Sequence, residues 1–274
     1  MTGVWVDGVI LDGASARVSV FDHALLTGDG VFETLRVYGG VPFASRRHLD
    51  RLARSATGMG LPVPDRGLLR SAMDEVIAVN ALSDGRLRIT VTGGPSPLGS
   101  DRGAGGPTVI VAGGPLPAWP ATTDVVVVPW PRNERGALVG LKTVSYGENV
   151  VALAFARERG AGEAVFGNLA GNLCEGTGTN VFVGVGGRLL TPPLASGCLP
   201  GVTRDLLLGL VPVVEEDLPL ADLGHVDEAF VTSSTREVQA VRAVDARPLP
   251  EAPGPLTRAA SAAFTALVGR TLDP

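Results

Sequence analysis

The sequence predicts a two-domain α+β protein of mixed α/β architecture. Three observations predict it. Strand-like and helix-like periodicities are interleaved along 274 residues without a regular strand–helix–strand rhythm. A Pro- and Gly-rich stretch, "GGPLPAWPATTD" (113–124), interrupts the pattern and reads as an interdomain linker. The chain is long enough to build two cores, and it shows no internal repeat. The expected boundaries are a smaller domain at 1–114, a linker at 115–124 and a larger domain at 125–274.

The first domain opens as a hairpin. In "VWVDGVIL" (4–11), Asp7-Gly8 separates two apolar runs, which is a tight-turn signal. "GVFETLRVYGGVPF" (30–43) alternates Val31, Glu33, Leu35 and Val37 and then turns at Gly39-Gly40. "RRHLDRLARSATGMG" reads as a helix with Leu49, Leu52, Ala53 and Ala56 on one face, stopped by Gly58 or Gly60. A second helix spans roughly 67–81, and the strands "RLRITVTGG" and "PTVIVAGG" follow.

The second domain opens with the strand "DVVVVPW". "ENVVALAFARERGAG" carries Val150, Leu153, Ala154 and the stem of Arg157 at helical spacing. "EAVFGN" and "NVFVGVGGRLLTP" are strands, and a helix starts near Gly201–Val202 in "LPGVTRDLLLGLV". "EAFVTSS" and "VQAVRAV" are strands, and a last helix runs from about Pro255 to Gly269.

Composition narrows the function. The net charge is −5, whereas a nucleic-acid surface would present a basic face. No uninterrupted apolar run approaches the about 18 residues that span a membrane. The N-terminus has neither a basic segment nor an apolar core, so no signal peptide is expected. Two cysteines, Cys174 and Cys198, lack metal-ligand spacing, and the chain reads as a reduced cytoplasmic protein. No metal site is expected, and His23, His48 and His225 read as structural.

Lys142, in "GLKTVSYGENVV" (140–151), is the only lysine; the other 22 of the 23 Lys and Arg residues are arginine. Arginine replaces lysine wherever charge or hydrogen bonding suffices. It cannot replace a nucleophilic amine, because the guanidinium stays protonated. Three further groups complement that amine. Glu175 lies in "CEGTGTNVFV" ahead of a Gly-rich turn. Gly201, Val202 and Thr203 open a helix whose first amides can bind an anion, which also fits a plain helix entry with Thr203 in the first turn. Ser233 and Ser234 end a strand in a hydroxyl-rich turn, which also fits a plain side-chain turn.

An amine, a carboxylate, an anion cradle and hydroxyls together answer the needs of pyridoxal 5'-phosphate: an imine partner for its aldehyde, an acid partner for its ring nitrogen and donors for its phosphate. Dinucleotide, P-loop, zinc-protease and nucleophile-elbow motifs are all missing.

Five blocks carry a family resemblance in order: "FDHALLTGDGVFETLRVYGG" with "HLDRL", "LKTVSYGENVVALAFARERGAGEAVF", "GNLCEGTGTNVFV", "LLTPPLASGCLPGVTRD" and "EAFVTSSTREVQAVRAVD". The chain resembles the fold-type IV pyridoxal-phosphate enzymes, the class IV aminotransferases, over nearly its whole length. The resemblance implies a smaller N-terminal domain and a larger, barrel-like C-terminal one. It implies that Lys142 forms the Schiff base and moves protons, and that Glu175 faces the pyridine nitrogen. Arg51, Val202, Thr203, Ser233 and Ser234 would bind phosphate, and Tyr146 would reach the cofactor's ring oxygen. It also implies a homodimer.

Within the family, the D-amino-acid enzymes hold substrate with an Arg-x-His pair; here Leu98 and Ser100 occupy those places. Branched-chain enzymes show Phe-Glu-Gly, whereas this chain reads Phe32-Glu33-Thr34. A threonine at position 34 resembles the aminodeoxychorismate lyases, in which its hydroxyl assists elimination. The expected reaction is therefore conversion of 4-amino-4-deoxychorismate to 4-aminobenzoate and pyruvate. The alternatives are an aminotransferase acting on branched-chain amino acids, whose motif "EVQAVRAVD" resembles, or on D-amino acids, and a degenerate cofactor-binding scaffold.

Overall fold

A computed structural model describes residues 2–274 and resolves them into two compact units. The first takes in the chain up to Pro117 together with Leu141–Tyr146 and Thr271–Pro274. The second comprises Ala118–Gly140 and Gly147–Arg270.

In the first unit, β1 (Gly3–Val6) and β2 (Val9–Asp12) form the expected hairpin. Asp7 and Gly8 adopt φ of 45° and 98°, the positive pair that a two-residue turn of this twist requires. There follow α1 (His23–Thr27), β3 (Gly30–Tyr38), β4 (Val41–Pro42), α2 (Ser45–Gly58), α3 (Arg66–Val79), β5 (Gly85–Thr92) and β6 (Val109–Gly114). The strands make one sheet in the order β2-β1-β6-β5-β3-β4. Its β3 residues Val31, Leu35 and Val37 meet Leu49, Leu52 and Ala56 of α2 in a continuous core. Period two on the strand and spacings of three and four on the helix put those side chains on facing surfaces.

Helix α2 buries a second stripe beside the apolar one. His48, Arg51 and Ser55 repeat at the same spacing as Leu49, Leu52 and Ala56, and all three are covered. This polar stripe, unusual in a buried helix face, forms one part of the candidate site.

The second unit contains β7 (Thr122–Val127), α4 (Gly147–Glu158), β8 (Glu163–Gly167), β9 (Leu173–Gly176), β10 (Asn180–Val185), β11 (Arg188–Thr191), α5 (Val202–Leu210), β12 (Val214–Glu215), β13 (Glu228–Ser233), β14 (Glu237–Val244), β15 (Arg247–Pro248) and α6 (Pro255–Arg270). Its sheet runs β12-β11-β10-β13-β14-β7-β8-β9, with β15 on β14. Laid flat, β9 and β10 would stand about 24 Å apart, since strands are spaced by about 4.8 Å. The chain from Gly176 to Asn180 reaches at most about 14 Å. The sheet must therefore curl back on itself, which gives the barrel-like form. Its core includes Val125, Val165, Val181, Val231 and Val241.

One element differs from the sequence reading. Helix α4 exposes Val150 and Ala154 and buries Asn149, Ala152 and Ala156 instead. Ala152 and Ala156 are fully covered and pack with Ala164 and Phe166 of β8. Small alanines allow the close helix–strand approach, and the apolar residues on the other side misled the pattern. Among the described residues, no helix is long and apolar enough to cross a membrane, and no cluster of three His, Cys, Asp or Glu could hold a metal.

Candidate active site

Lys142 is anchored along the edge of β3 that β4 leaves open. Phe32 N–H donates to the Lys142 carbonyl at 3.0 Å, and Val144 N–H donates to the Gly30 carbonyl at 2.9 Å. Thr143 bridges Val31 in antiparallel fashion. The Lys142 N–H donates to Ser55 Oγ at 3.0 Å, so both backbone groups of the lysine are held. Gly30 makes the approach feasible: a Cβ there would stand 2.8 Å from the Val91 carbonyl oxygen and 3.2 Å from Val144.

The Lys142 amine lies 4.3 Å from the centre of the Phe32 ring and 5.9 Å from that of Tyr146. Tyr146 meets Phe32 edge-on at 5.3 Å. A second cation shares this aromatic floor: the Arg88 guanidinium lies 3.7 Å from the Phe32 ring centre. Arg88 is exposed, donates from Nε to Thr90 Oγ1 at 3.2 Å, and pairs with no carboxylate among the described residues. It stands directly across from Thr34 in the β3–β5 register, so the half-buried Thr34 and Arg88 share one face of the sheet. The sequence reading missed Arg88, because one arginine among 22 carries no signal until a register places it.

On the opposite face of β3, Glu33 is completely buried. Its Oε1 accepts from Arg51 Nε at 2.7 Å, and its Oε2 accepts from Arg51 Nη2 at 2.7 Å and pairs with His48 Nδ1 at 2.6 Å. Arg51 and His48 are almost wholly covered. Burial raises the Glu33 pKa, but the Arg51 and His48 contacts outweigh it and hold the carboxyl well below its ordinary range. Burial lowers the His48 pKa, opposed by Glu33 and reinforced by Arg51 and Lys142.

In the second unit, the register Asn180↔Thr232 sets the start of β10 beside the end of β13, where Ser233 and Ser234 lie. Asn180 Nδ2 donates to the Leu199 carbonyl at 2.8 Å, and the Leu199 N–H donates to Glu175 Oε2 at 2.9 Å. Two residues on, Gly201 leads into α5 without a side-chain cap, with Val202 and Thr203 buried in the first turn. Glu175, the α5 start and the Ser233–Ser234 turn are thus gathered at one end of the sheet. Arg132 flanks Glu175, with Nε 3.4 Å from Oε1, and was not singled out from the sequence. Ser233 Oγ accepts from Arg236 N–H at 3.1 Å, which is the local side-chain turn the sequence also allowed.

Each unit carries groups of the kind pyridoxal phosphate needs: the first an amine fixed over aromatic rings, the second a carboxylate beside an arginine and a helix start with no side-chain cap among the described residues.

Known proteins give the same direction. The pattern of the family described as Amino-transferase class IV matches residues 30–244. A Methanocaldococcus jannaschii protein named "Putative branched-chain-amino-acid aminotransferase" is 36% identical over 254 residues, 89% of this chain and 88% of that one. The solved branched-chain amino acid aminotransferase of Escherichia coli is 31% identical with a TM-score of 0.91, covering 97% of this chain and 94% of its own. A Legionella pneumophila structure titled "Putative 4-amino-4-deoxychorismate lyase" is 25% identical with a TM-score of 0.86, covering 94% and 97%.

Proposed function

This chain belongs to the class IV amino-transferases, pyridoxal-phosphate enzymes of fold type IV, and from that membership we propose that it exchanges the amino group of a branched-chain amino acid with a 2-oxo acid. This reading replaces the lyase expectation. The lyase expectation rests on the Thr34 hydroxyl and the missing Arg-x-His pair, whereas relatives matched over most of the chain carry the aminotransferase name.

The observation that carries the proposal is the pairing on the Phe32 ring of the sole lysine and an arginine that meets no carboxylate among the described residues. An amino acid presents an amine-bearing carbon and a carboxylate, and these two side chains answer one each. The loop 93–106 has a single cation, Arg102, and Asp29 holds it at 2.6 and 2.7 Å. That loop therefore supplies no spare guanidinium of the kind a D-amino-acid enzyme uses.

The cofactor, when bound, supplies the aldehyde that receives the amino group and the electron sink that acidifies the substrate's Cα–H. Lys142 would hold the cofactor's aldehyde carbon through Nζ and, once the incoming substrate amine has displaced it, the freed amine would take the proton from the substrate Cα and return it. The Glu175 carboxylate would face the pyridine nitrogen, held in position by Arg132 and the Leu199 N–H. Arg51, the amides of Val202 and Thr203, the Thr203 hydroxyl, and Ser233 and Ser234 bind the phosphate. Tyr146 donates to the ring oxygen, Arg88 holds the substrate carboxylate, and Thr34 lines the same face.

The enzyme works as a homodimer in a reducing compartment. Val20, Phe21, Leu25 and Leu98 are 51–77% exposed. The segments that carry them are tied together in the first unit, where Ser96 N–H donates to the Phe21 carbonyl and Asp22 bridges Pro95. Such a patch suits a second copy of the chain. Cys174 and Cys198 are buried free thiols, consistent with a reduced setting.

The test is an amino-exchange assay with leucine, isoleucine and valine against 2-oxoglutarate, run beside D-alanine and beside aminodeoxychorismate without a 2-oxo acid. Exchange with the branched-chain set supports the proposal.

A further inference from the structure

We propose that Glu33 is a positioning residue for Arg51, and that His48 steadies Glu33 from the other side. The inference rests on the reading of Arg51 as a phosphate ligand and adds what fixes that ligand in place.

The geometry is bidentate. Arg51 meets Glu33 through Nε and Nη2, one oxygen each, both at 2.7 Å. This side-on contact fixes the plane of the guanidinium. Glu33 cannot drift, because Oε2 is also tied to His48 Nδ1 at 2.6 Å and the side chain is wholly enclosed. Helix α2 offers His48 and Arg51 at a spacing of three, on one face, toward β3.

A buried ion pair is weak evidence of a stabilising role. Desolvating two charges costs several kcal/mol per ion, and apolar replacements of buried pairs are often no less stable. What such a pair supplies dependably is orientation. A long arginine left to itself samples many rotamers, and a cofactor's phosphate would have to order it at an entropic cost. With Glu33 in place that ordering is complete before the anion arrives. His48 restrains the carboxylate through Oε2, from the side away from the Arg51 Nε contact.

The chain has a built-in separation of this role from general stability. Pyridoxal and pyridoxal 5'-phosphate share the aldehyde and ring and differ only in the phosphate. Apo-protein is titrated with each by absorbance and tryptophan fluorescence, and the ratio of the two affinities is compared among variants. Glu33→Asp keeps the charge and shortens the reach by one methylene. It should lower the preference for the phosphate ester by about 10-fold, with little change for pyridoxal. His48→Gln leaves both ion-pair members in place and should lower the preference by about 3-fold, which keeps the test available if Glu33→Asp does not fold.

Arg51→Gln is run in the same titration. A fall in the ratio for Arg51→Gln together with Glu33→Asp, or together with His48→Gln, supports the proposal. A fall for Arg51→Gln with the Glu33 and His48 variants weakening both ligands equally overturns the positioning role and leaves the phosphate reading standing. No change in the ratio for Arg51→Gln overturns the phosphate reading and the positioning role with it.

Discussion

Phe32 and Lys142 are joined twice: the Phe32 N–H donates to the Lys142 carbonyl at 3.0 Å, and the Lys142 amine lies 4.3 Å from the centre of the Phe32 ring. The backbone bond fixes where the lysine starts, and the ring fixes what its end lies against. Arginine at this position would keep the charge and the contact with the ring, and it would lose the amine. Lys142→Arg should therefore fold normally and fail to attach cofactor covalently. Borohydride reduction and peptide mapping check this: wild type should carry a pyridoxyl group on Lys142, and the variant should carry none.

Glu175→Gln should retain the hydrogen bond from Leu199, because the amide oxygen still accepts. It cannot hold a ring nitrogen protonated, so turnover should fall on the order of 100-fold while cofactor affinity changes far less. Steady-state kinetics and cofactor titration on the same preparation separate the two effects. Near-normal turnover would reduce Glu175 to a brace for the Leu199 loop.

Arg88→Gln removes a guanidinium that is exposed and has no acid partner among the described residues. Stability should change little, since surface substitutions of this kind stay within about 0.5 kcal/mol. The Michaelis constant for the amino acid should rise about 10- to 100-fold, as a charge-assisted bond is worth about 1.5–3 kcal/mol. A loss confined to kcat would reject the carboxylate role.

The loop 93–106 should loosen with rising pH. His23 Nδ1 faces Asp29 Oδ2 and Nε2 faces the Gly99 carbonyl, both at 2.8 Å, so both ring nitrogens meet acceptors. Asp29 and the Gly99 carbonyl raise the His23 pKa, opposed by burial and by Arg102. Arg102 and His23 lower that of Asp29, opposed by burial. The raised His23 contributes fully below its unfolded value of about 6.5 and loses that contribution as pH climbs through its folded value. The lowered Asp29 contributes above about 3.9 and loses it as pH falls through its folded value. Amide exchange at Ser96 and Gly103, corrected for intrinsic rates, should therefore be best protected between those two limits. His23→Gln should remove the alkaline limb; an unaltered limb would contradict the assignment.

Much of the fold was legible because its signals are local. Asp7-Gly8 announced the first hairpin, the alternation Val31–Val37 announced β3, and Gly201 announced α5. The α4 face was not legible, since apolar residues surround that helix and only close packing of Ala152 and Ala156 chooses a side. Lys142 stood out because the chain has no other lysine. Glu33, Arg88 and Arg132 did not, because each acquires its role through a partner distant in sequence: Arg51, the Phe32 ring and Glu175 respectively. The buried polar stripe His48, Arg51 and Ser55 shares its spacing with the apolar one, and as sequence it reads as a wet helix face.

The central claim is amino exchange, and the direct measurement follows the cofactor's absorbance in purified enzyme mixed with L-leucine and then with 2-oxoglutarate. The account predicts loss of the aldehyde-form band with leucine, its return with the 2-oxo acid, and sustained turnover only when both are present. Thr34→Val should leave that cycle largely intact. Release of 4-aminobenzoate and pyruvate from aminodeoxychorismate with no 2-oxo acid added, lost about 10-fold or more in Thr34→Val, together with an unresponsive band in leucine, would contradict it.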